Sequence, residues 1–375
     1  MLRQFLIASF LVYAGAQAAT IRVPGDQPTI QAGIVAAAEG DTVLVAPGTY
    51  TGEGNKNLVF GGVDRVLLSA AGAEATIIDC EGDGRGLYFH NGETNAAVVE
   101  GFTIRNGNAH HGGGISCWDS APTITNCTIS ENSADDGGGL CCVDSSPTIT
   151  NCTISENSAA GEGGGLYCWG SSSPTITNCI LWGDHPEEIT LIGRSPTPTL
   201  TYCNIEGGWS GEGNFDLDPV FVDAENGDYH LNTGSPCIDA GTAAGAPDTD
   251  FEGDPRPMGG GFDIGADESE AVGIAGSTPV GLPTRTKLAP PHPNPFNPQT
   301  LIPFELAKSG VVRLTVYDLR GALVRTLLDT QLQPGSHAVR WDGTSETGVG
   351  VVTGVYIVQL EMDRERETQK VVLVK

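Results

Sequence analysis

The chain has 375 residues, including 52 glycines and 23 prolines but only 6% aromatic residues, a composition that suits many short strands joined by turns better than a disordered chain. The net charge of −27 is concentrated before residue 275, where 8 Lys and Arg face 37 Asp and Glu, whereas the rest of the chain has 11 against 9. Such an acidic surface excludes nucleic-acid binding, which depends on clustered Lys and Arg.

Residues Met1 to Ala18 predict a secretory signal peptide. Arg3 supplies the positive n-region, Phe5 to Tyr13 supply the apolar stretch, and Ala16-Gln17-Ala18 is a small-residue cleavage site. The apolar stretch is shorter than the roughly 20 residues that a membrane span needs, and no later segment is apolar enough to span. We therefore expect an exported mature protein without a transmembrane helix, located outside the cell or on its outer surface.

A single helix is predicted at Thr29 to Ala38, ahead of a long series of strand-like segments. The first of these segments are irregular in spacing, and they lie at Thr42–Val45, Val66–Leu68, Thr76–Ile78, Leu87–Phe89 and Val98–Ile104.

An internal repeat follows and defines the fold of this region. The ten residues from Ala121 to Ser130 recur at Ser146 to Ser155 and, more loosely, at Ser173 to Trp182. Cysteines at equivalent positions, 127, 152, 179 and 203, are spaced by 25, 27 and 24 residues. A glycine-rich landmark also recurs, as Gly112–Ile115, Gly137–Leu140 and Gly163–Leu166. A fixed period of this length is typical of a repeat architecture.

Within each repeat the apolar residues alternate with a period of two, as half-buried strands require. A unit of about 25 residues with three short strands cannot bury its apolar side alone, but stacked copies can, with like strands about 4.8 Å apart. The sequence therefore predicts a parallel β-solenoid. Ile124, Ile149 and Ile176 should form an interior column, and Asn126, Asn151 and Asn178 should occupy one sharp turn in successive coils.

Several of these segments resemble a known family. Thr29-Ile30-Gln31, Gly40-Asp41-Thr42-Val43 and Ala46–Tyr50 resemble the N-terminal cap of pectin-lyase-like right-handed parallel β-helix proteins. Gly101–Ile104, the Pro-Thr-Ile-Thr-Asn-Cys units and the later segments Asp218–Val222, Gly234–Gly241 and Asp263–Ala266 are similar to uncharacterised secreted members of that group. The resemblance implies a β-helix over residues 19–268 and does not identify an activity.

The composition changes after Glu268. Residues 269–291 are rich in Gly, Pro, Ser and Thr and are predicted to be a linker. Six or seven short strand-like runs follow in residues 292–375, which predicts a small β-sandwich.

The motifs Pro293–Pro298, Tyr317–Gly321, Trp341-Asp342-Gly343 and Gly354-Val355-Tyr356 resemble the Ig-like domain of flagellar hook-capping proteins and the C-terminal sorting domains of type IX secretion. This resemblance implies contact with secretion machinery through the C-terminal domain. A spacer sandwich without a sorting role is the alternative.

The ten cysteines allow two interpretations. Exported proteins often carry disulfides, and neighbours in one column would lie within the range of disulfide Cα separations. Side chains in a column run parallel, however, so stacking as small apolar core residues is the preferred interpretation. A structural zinc site lacks the paired Cys-x-x-Cys spacing.

One face of the solenoid is predicted to bind a ligand. If Ile115, Leu140 and Leu166 point inward, then Ser116, Cys141 and Tyr167 point outward, as do Trp118, Val143 and Trp169. Exposed tryptophans beside carboxylates can hold sugar rings by stacking and hydrogen bonds. The predicted ligand-binding residues are Trp118, Tyr167, Trp169, His110, His111, Asp135, Asp136 and Glu162. The alternative is that the tryptophans cover the coil stack and the acidic residues are solvated turn residues.

Asp248, Asp250 and Glu252, followed by Gly253, have the alternating carboxylates of a calcium loop, although Gly259 stands where such a loop would have its bidentate glutamate. Calcium is thus a possible cofactor at these three residues, and a polar turn is the alternative.

Three functions remain open. The preferred one is a secreted or cell-surface protein that binds extracellular polysaccharide or another partner without catalysis, because near-identical repeats do not build a unique active site. A polysaccharide lyase or glycoside hydrolase is the second. Hydrolysis requires two carboxylates at a set separation, and a lyase requires a base, for which His110 and His111 are the candidates. A structural envelope protein is the third.

Overall fold

A computed structural model describes residues 18–194, 196–269, 285–291, 294–296, 300–332, 335–362 and 365–374. The predicted signal peptide, apart from Ala18, and most of the predicted linker lie outside these residues. Among the described helices, none has the length and apolar character needed to cross a membrane.

The repeats stack as parallel coils whose strands form four sheets, named A to D in the order in which a coil visits them. Sheet A contains Thr20–Val23, Thr42–Val45, Val66–Ser69, Val98–Glu100, Thr123–Thr125, Thr148–Thr150, Thr175–Thr177 and Thr199–Thr201. Sheet B contains Gly48–Tyr50, Thr76–Asp79, Thr103–Arg105, Thr128–Ser130, Thr153–Ser155, Ile180–Trp182 and Asn204–Ile205. Sheet C contains Asn108–His111, Ser133–Asp136 and Ser158–Ala159. Sheet D contains Leu58–Val59, Leu87–Phe89, Ile115–Trp118, Leu140–Val143, Leu166–Trp169 and Ile189–Ile192.

The register confirms the predicted β-solenoid. Ile124 pairs with Ile149, and Ile149 with Ile176, in parallel strands of sheet A, and all three side chains are fully buried. The core is therefore a set of mainly aliphatic columns that run through the coils, and strands of sheets A, B and D contribute its buried residues. The segment Val98–Ile104, predicted as one run, divides into a sheet A strand and a sheet B strand at Gly101, which has a positive φ of 78°.

The glycine landmark forms the corner between sheets C and D. Its first residue adopts a left-handed backbone, with φ of 64° at Gly112 and 67° at Gly137. At its third residue neighbouring coils approach closely, because a Cβ added to Gly114 would lie 2.6 Å from the carbonyl oxygen of Gly139. Only glycine accommodates both requirements, which explains why the landmark recurs.

Asn126, Asn151 and Asn178 adopt left-handed conformations at the predicted turn, with φ between 49° and 53°. Asn178 donates to the side chain of Asn151 at 3.3 Å. A second ladder, which the sequence analysis missed, lies at the next turn. There the Nδ2 of Asn132 donates to Oδ1 of Asn157, and the Nδ2 of Asn157 donates to Oδ1 of Asp184, at 3.0 and 2.9 Å.

The helix ahead of the coils spans Ile30–Ala36, slightly shorter than predicted, and Thr29 caps it by accepting the N–H of Ala32. Its buried residue Ile30 joins the core of the first coils, so the helix covers the open end of the solenoid. The expectation of a single helix is wrong. A one-turn helix forms at Gly72–Ala75, and a 3-10 turn forms at Ala224–Asn226.

Residues 218–268 form a closing segment that runs back along the turn between sheets A and B. It contains one hairpin, Phe221–Asp223 with Asp228–Leu231. The amides of Asn126 and Asn178 donate to the carbonyls of Thr249 and Thr242, both at 2.7 Å. The turn asparagines thus bind this segment as well as one another.

A buried ion pair anchors the end of the closing segment. The guanidinium of Arg256 meets the carboxylate of Glu268 at 2.7 Å, and neither side chain is exposed. Arg256 also donates to the carbonyl of Ala266 at 2.6 Å. Losing either partner would leave a buried unpaired charge.

The C-terminal region consists of two antiparallel sheets. One contains Lys287–Leu288, Thr300–Leu306 and Gly335–Trp341, and the other contains Gly310–Asp318, Leu323–Leu332, Gly354–Met362 and Glu365–Leu373. Phe304 of the first sheet and Val316 of the second belong to one buried cluster, in which Trp341 is fully buried. Lys287–Leu288 pairs with Phe304 and Glu305, so the predicted linker ends earlier than residue 291.

Candidate functional site

Trp118 and Trp169 stand on the same outward column of sheet D. The register pairs Trp118 with Val143 and Val143 with Trp169, so the two indoles are two coils apart. Their exposed fractions are 36% and 44%, whereas Cys117 and Cys168, immediately before them, are fully buried. At these positions the inward cysteines and the outward tryptophans follow the predicted alternation, which leaves two large apolar rings in contact with water.

Trp118 is held in place by its own strand. Its Nε1 donates to Oγ of Ser116 at 3.2 Å, and its ring centroid lies 6.1 Å from that of His111 in sheet C. Ser116 is fully buried beneath this arrangement. The indole is thus fixed between a hydroxyl below and an imidazole beside it.

The histidines and aspartates of sheet C lie side by side in adjacent coils. His111 pairs in register with Asp136, and their Nδ1 and Oδ2 atoms are 3.4 Å apart. The corresponding distance between His110 and Asp135 is 3.6 Å, and both of those side chains are largely exposed.

His111 has no hydrogen-bond partner at its buried Nδ1. Partial burial, reinforced by the neighbouring His110, lowers the pKa of His111 below its ordinary value. The lowered pKa favours the neutral imidazole, in which one ring nitrogen donates a hydrogen bond and the other accepts one.

Glu162 and Tyr167 belong to the third coil of the same surface. Glu162 is exposed, and its backbone N–H donates to Oδ1 of Asp136 at 3.3 Å. Tyr167 is half-buried, and burial together with the charges of Asp136 and Glu162 raises the pKa of its hydroxyl. The structure thus brings all eight predicted ligand-binding residues to one surface, which we call the aromatic–acidic face.

Two residues of this face differ from the prediction. Ser116 and Cys141 lie on the outward side of their strands but are fully buried, because neighbouring side chains cover them. Arg85 lies two residues before Leu87–Phe89, the strand of sheet D that pairs with Ile115–Trp118. Its guanidinium stacks 4.6 Å above the ring centroid of Tyr88, and its charge acts on His111 and Cys141.

The carboxylates of the predicted calcium loop do not converge as a set. Asp250 is buried, and its Oδ1 accepts the backbone N–H groups of Glu252, Gly253 and Asp254 at 2.8–2.9 Å. Asp254 rather than Asp248 joins Asp250 and Glu252 in a group whose oxygens lie within 4.8 Å. The loop therefore uses Asp250 to fix its own backbone, and Asp248 lies outside the group.

A third cluster of acidic groups is buried at the end of the second ladder. Oε1 of Glu188 accepts the N–H of Asp184 at 3.1 Å, while Asp184 Oδ2 and Glu188 Oε2 have no partner. Burial and the charge of Asp184 raise the pKa of Glu188 to about 11. The protonated, neutral form of Glu188 is therefore favoured at neutral pH.

Two family models match parts of the chain. Residues 65–213 match the right handed beta helix region, and residues 299–365 match the FlgD Ig-like domain. The parallel coils described above are therefore right-handed, and the C-terminal sheets are similar to the Ig-like domain of FlgD. No curated protein matches the chain.

Two solved structures from Porphyromonas gingivalis are similar to 24% of the chain. One is dimeric latent PorU, at 20% identity and a TM-score of 0.21, of which 9% is covered. The other is PorZ, described as an essential bacterial surface component of the type-IX secretion system, at 18% identity and a TM-score of 0.18, of which 11% is covered. The chain spans about a tenth of these structures, and at such TM-scores the likeness carries no argument about this protein.

Proposed function

We propose that this is an exported or cell-surface β-helix protein that binds extracellular polysaccharide, without catalysis, through the aromatic–acidic face. The observation that carries the proposal is the shared column of Trp118 and Trp169, which exposes two indoles on a rigid surface. A core position would bury these rings, and an ordinary solvated face rarely presents two of them in register.

The spacing of the indoles suits an extended sugar chain. Two coils separate Trp118 from Trp169, which at the strand spacing of a sheet corresponds to about 9–10 Å. Alternate sugars of an extended β-linked chain are about this far apart, so each indole can stack against one ring. Val143 lies between them and leaves room for the intervening sugar.

The polar residues of the face supply hydrogen bonds at one side of the tryptophans. His110, Asp135 and Glu162 are exposed, and their acceptors and donors suit sugar hydroxyls. Because carboxylates repel anionic glycans, neutral polysaccharides are the preferred ligands, and calcium would strengthen binding of anionic ones by bridging.

The location at the surface rests on the two ends of the chain. Residues 1–18 have the pattern of a signal peptide, and residues 299–365 match the Ig-like domain model. We propose that the C-terminal domain directs export through type IX secretion machinery and that the solenoid is displayed outside the outer membrane.

A polysaccharide lyase is the second candidate, and Arg85 favours it. A lyase requires a cation to neutralise the uronate carboxylate and a base to remove a proton. Partial burial lowers the pKa of His111, and the positive charge of Arg85 is one of the further causes, which favours the neutral imidazole that a base needs. The near-identical segments Ala121–Ser130 and Ser146–Ser155 nevertheless favour binding without catalysis, because an active site needs irregular coils to build a unique arrangement.

A glycan array probed with the mature chain tests the binding, and reducing-end assays on every glycan retained test the catalysis. Retention of a β-linked glycan without release of new reducing ends supports the proposal. Release of new ends, or of products with an unsaturated sugar, would favour the enzymatic alternative.

A further inference from the structure

Three distant segments of the chain meet at the outer side of sheet B. Glu74 comes from the one-turn helix Gly72–Ala75, His230 from the hairpin strand Asp228–Leu231, and Glu252 from a loop of the closing segment. One ligand atom from each side chain lies within 4.8 Å of the others. This convergence does not involve the aromatic–acidic face and is independent of the proposed function.

Each ring nitrogen of His230 lies within hydrogen-bond distance of a carboxylate oxygen. Nδ1 lies 2.6 Å from Oδ1 of Asp228, and Nε2 lies 3.0 Å from Oε2 of Glu252. The ring also packs against Phe251, with centroids 5.0 Å apart. A carboxylate on the far nitrogen is the arrangement that orients a metal-binding histidine and increases its basicity.

Glu252 is presented by a rigid loop. Oδ1 of Asp250 accepts three successive backbone N–H groups, and its Oδ2 accepts the N–H of Glu268 at 3.1 Å. These bonds fix the backbone from Glu252 to Asp254. The Glu252 carboxylate therefore stays beside that of Glu74 without much loss of conformational entropy.

The site adjoins a cavity whose polar lining includes a buried hydroxyl group without a hydrogen-bond partner. The cavity has a volume of about 270 Å³ and is lined in part by Glu74, His230, Phe251 and Thr128. Thr128 is 2% exposed, yet its Oγ1 has no hydrogen-bond partner. The two adjacent carboxylates also repel each other unless a cation or a proton lies between them.

We propose that Glu74, His230 and Glu252 bind one divalent transition-metal ion of the zinc class, with Asp228 orienting His230. Two carboxylate oxygens and one imidazole nitrogen form a ligand set that suits zinc, whereas calcium prefers oxygen ligands throughout. The ligand atoms around tetrahedral zinc lie about 3.3–3.6 Å apart. Small side-chain rotations would bring the ligand atoms of Glu74, His230 and Glu252, now within 4.8 Å of one another, to these distances. The adjoining cavity would leave room for a water molecule beside the three protein ligands.

A metal ion at this site would link the closing segment to the part of the solenoid that contains the one-turn helix Gly72–Ala75. Glu74 lies on the solenoid, whereas His230 and Glu252 lie on the closing segment. The two parts are already joined by a hydrogen bond, in which the N–H of Ala73 in the one-turn helix donates to the carbonyl of Phe251 at 2.6 Å. Metal binding should therefore stabilise the folded chain and hold the closing segment against sheet B.

Equilibrium dialysis of the untagged mature chain against Zn²⁺, followed by elemental analysis, tests the site. We expect one equivalent of Zn²⁺, not displaced by an equal concentration of Ca²⁺. Glu252→Gln and His230→Gln should each lose this equivalent, and Asp228→Asn should weaken binding about 10–100-fold. The matched controls Glu39→Gln and His185→Gln change exposed residues elsewhere and should retain it.

Circular dichroism confirms that each variant is folded, and Co²⁺ substitution provides a second measurement that does not depend on stability. Visible absorption bands of bound Co²⁺ should appear in the parent chain and disappear in Glu252→Gln. Absence of stoichiometric Zn²⁺ from the parent chain, or unchanged binding in both ligand variants, would overturn the proposal. A preference for Ca²⁺ over Zn²⁺ would overturn the assignment of His230 as a ligand.

Discussion

The backbone N–H of Cys127 donates to the sulfur of Cys152 in the next coil, at 3.5 Å. Cys152 in turn donates to the sulfur of Cys179 at 3.4 Å. The sulfurs of Cys152 and Cys179 thus each accept a hydrogen bond along the stack, and both side chains are buried in the core. All ten cysteines are buried, and none of them is paired in a disulfide in the structure.

The thiols should therefore be present but unreactive in the folded protein. Burial raises the pKa of Cys127 well above its ordinary value, so the nucleophilic thiolate does not form at neutral pH. We expect no reaction of the native chain with a thiol-specific reagent. Ten equivalents should react after denaturation without reductant. Fewer than ten thiols in the denatured chain would indicate disulfides and contradict the stacked arrangement.

A charge in the interior column should destabilise the whole coil stack. Ile149→Asp places a carboxylate at a fully buried position between Ile124 and Ile176, and we expect a loss of more than about 4 kcal/mol in the free energy of unfolding. Thr148→Asp, at the adjacent partly exposed position, should cost less than about 1 kcal/mol. Urea denaturation measures both. Soluble, native-like Ile149→Asp protein would count against the register.

Replacing Glu188 with Gln should stabilise the protein increasingly as the pH rises. Burial and Asp184 raise the pKa of Glu188 from an ordinary value of 4.5 to about 11. Above about pH 4.5 the unfolded chain releases this proton while the folded chain keeps it, so stability falls by up to about 1.4 kcal/mol per pH unit. The amide keeps the Oε1 acceptor for the N–H of Asp184 and cannot ionise.

Thermal melts of Glu188→Gln and the parent chain at pH 5 and pH 8 provide the measurement, with Glu53→Gln as an exposed control. The difference in melting temperature between variant and parent should be small at pH 5 and larger at pH 8. A difference that does not change with pH would show that Glu188 is ionised in the folded state.

Deleting residues 292–375 should stop export at the periplasm of the native host. The expectation rests on the match of residues 299–365 to the Ig-like domain model and on the resemblance to type IX sorting domains. Fractionation with protease accessibility of intact cells measures the location, and the full chain carrying Trp118→Ala and Trp169→Ala is the control that should still reach the surface. Surface display of the truncated chain would show that the C-terminal domain has no sorting role.

The repeat predicted the coils because each column of Ile, Asn and Cys depends on contacts between neighbours one period apart. The period of two within each repeat likewise predicted that Trp118 and Trp169 lie on one outward column. The repeat also indicates the second asparagine ladder, because Ser130-Glu131-Asn132 recurs as Ser155-Glu156-Asn157 one period later.

Contacts outside the period could not be predicted in this way. Glu74 meets His230 and Glu252 only because the closing segment folds back along the solenoid, and no spacing in the sequence encodes that path. Asp250 matched a calcium pattern by residue type. Its carboxylate is nevertheless occupied by backbone N–H groups, a use of aspartate that a spacing rule does not distinguish from metal binding.

The binding of neutral β-linked glycans by the parent chain and by its double variant Trp118→Ala with Trp169→Ala tests the central claim most directly. Affinity electrophoresis or isothermal titration measures the binding, with circular dichroism to confirm the fold and Val143→Ala, between the two indoles, as the matched control. We expect weak binding by the parent and the control, and none by the folded double variant, because stacking on the exposed indoles supplies most of the contact area. Unchanged glycan retention in the double variant would show that the tryptophans serve only as packing and would contradict the proposed function of the face.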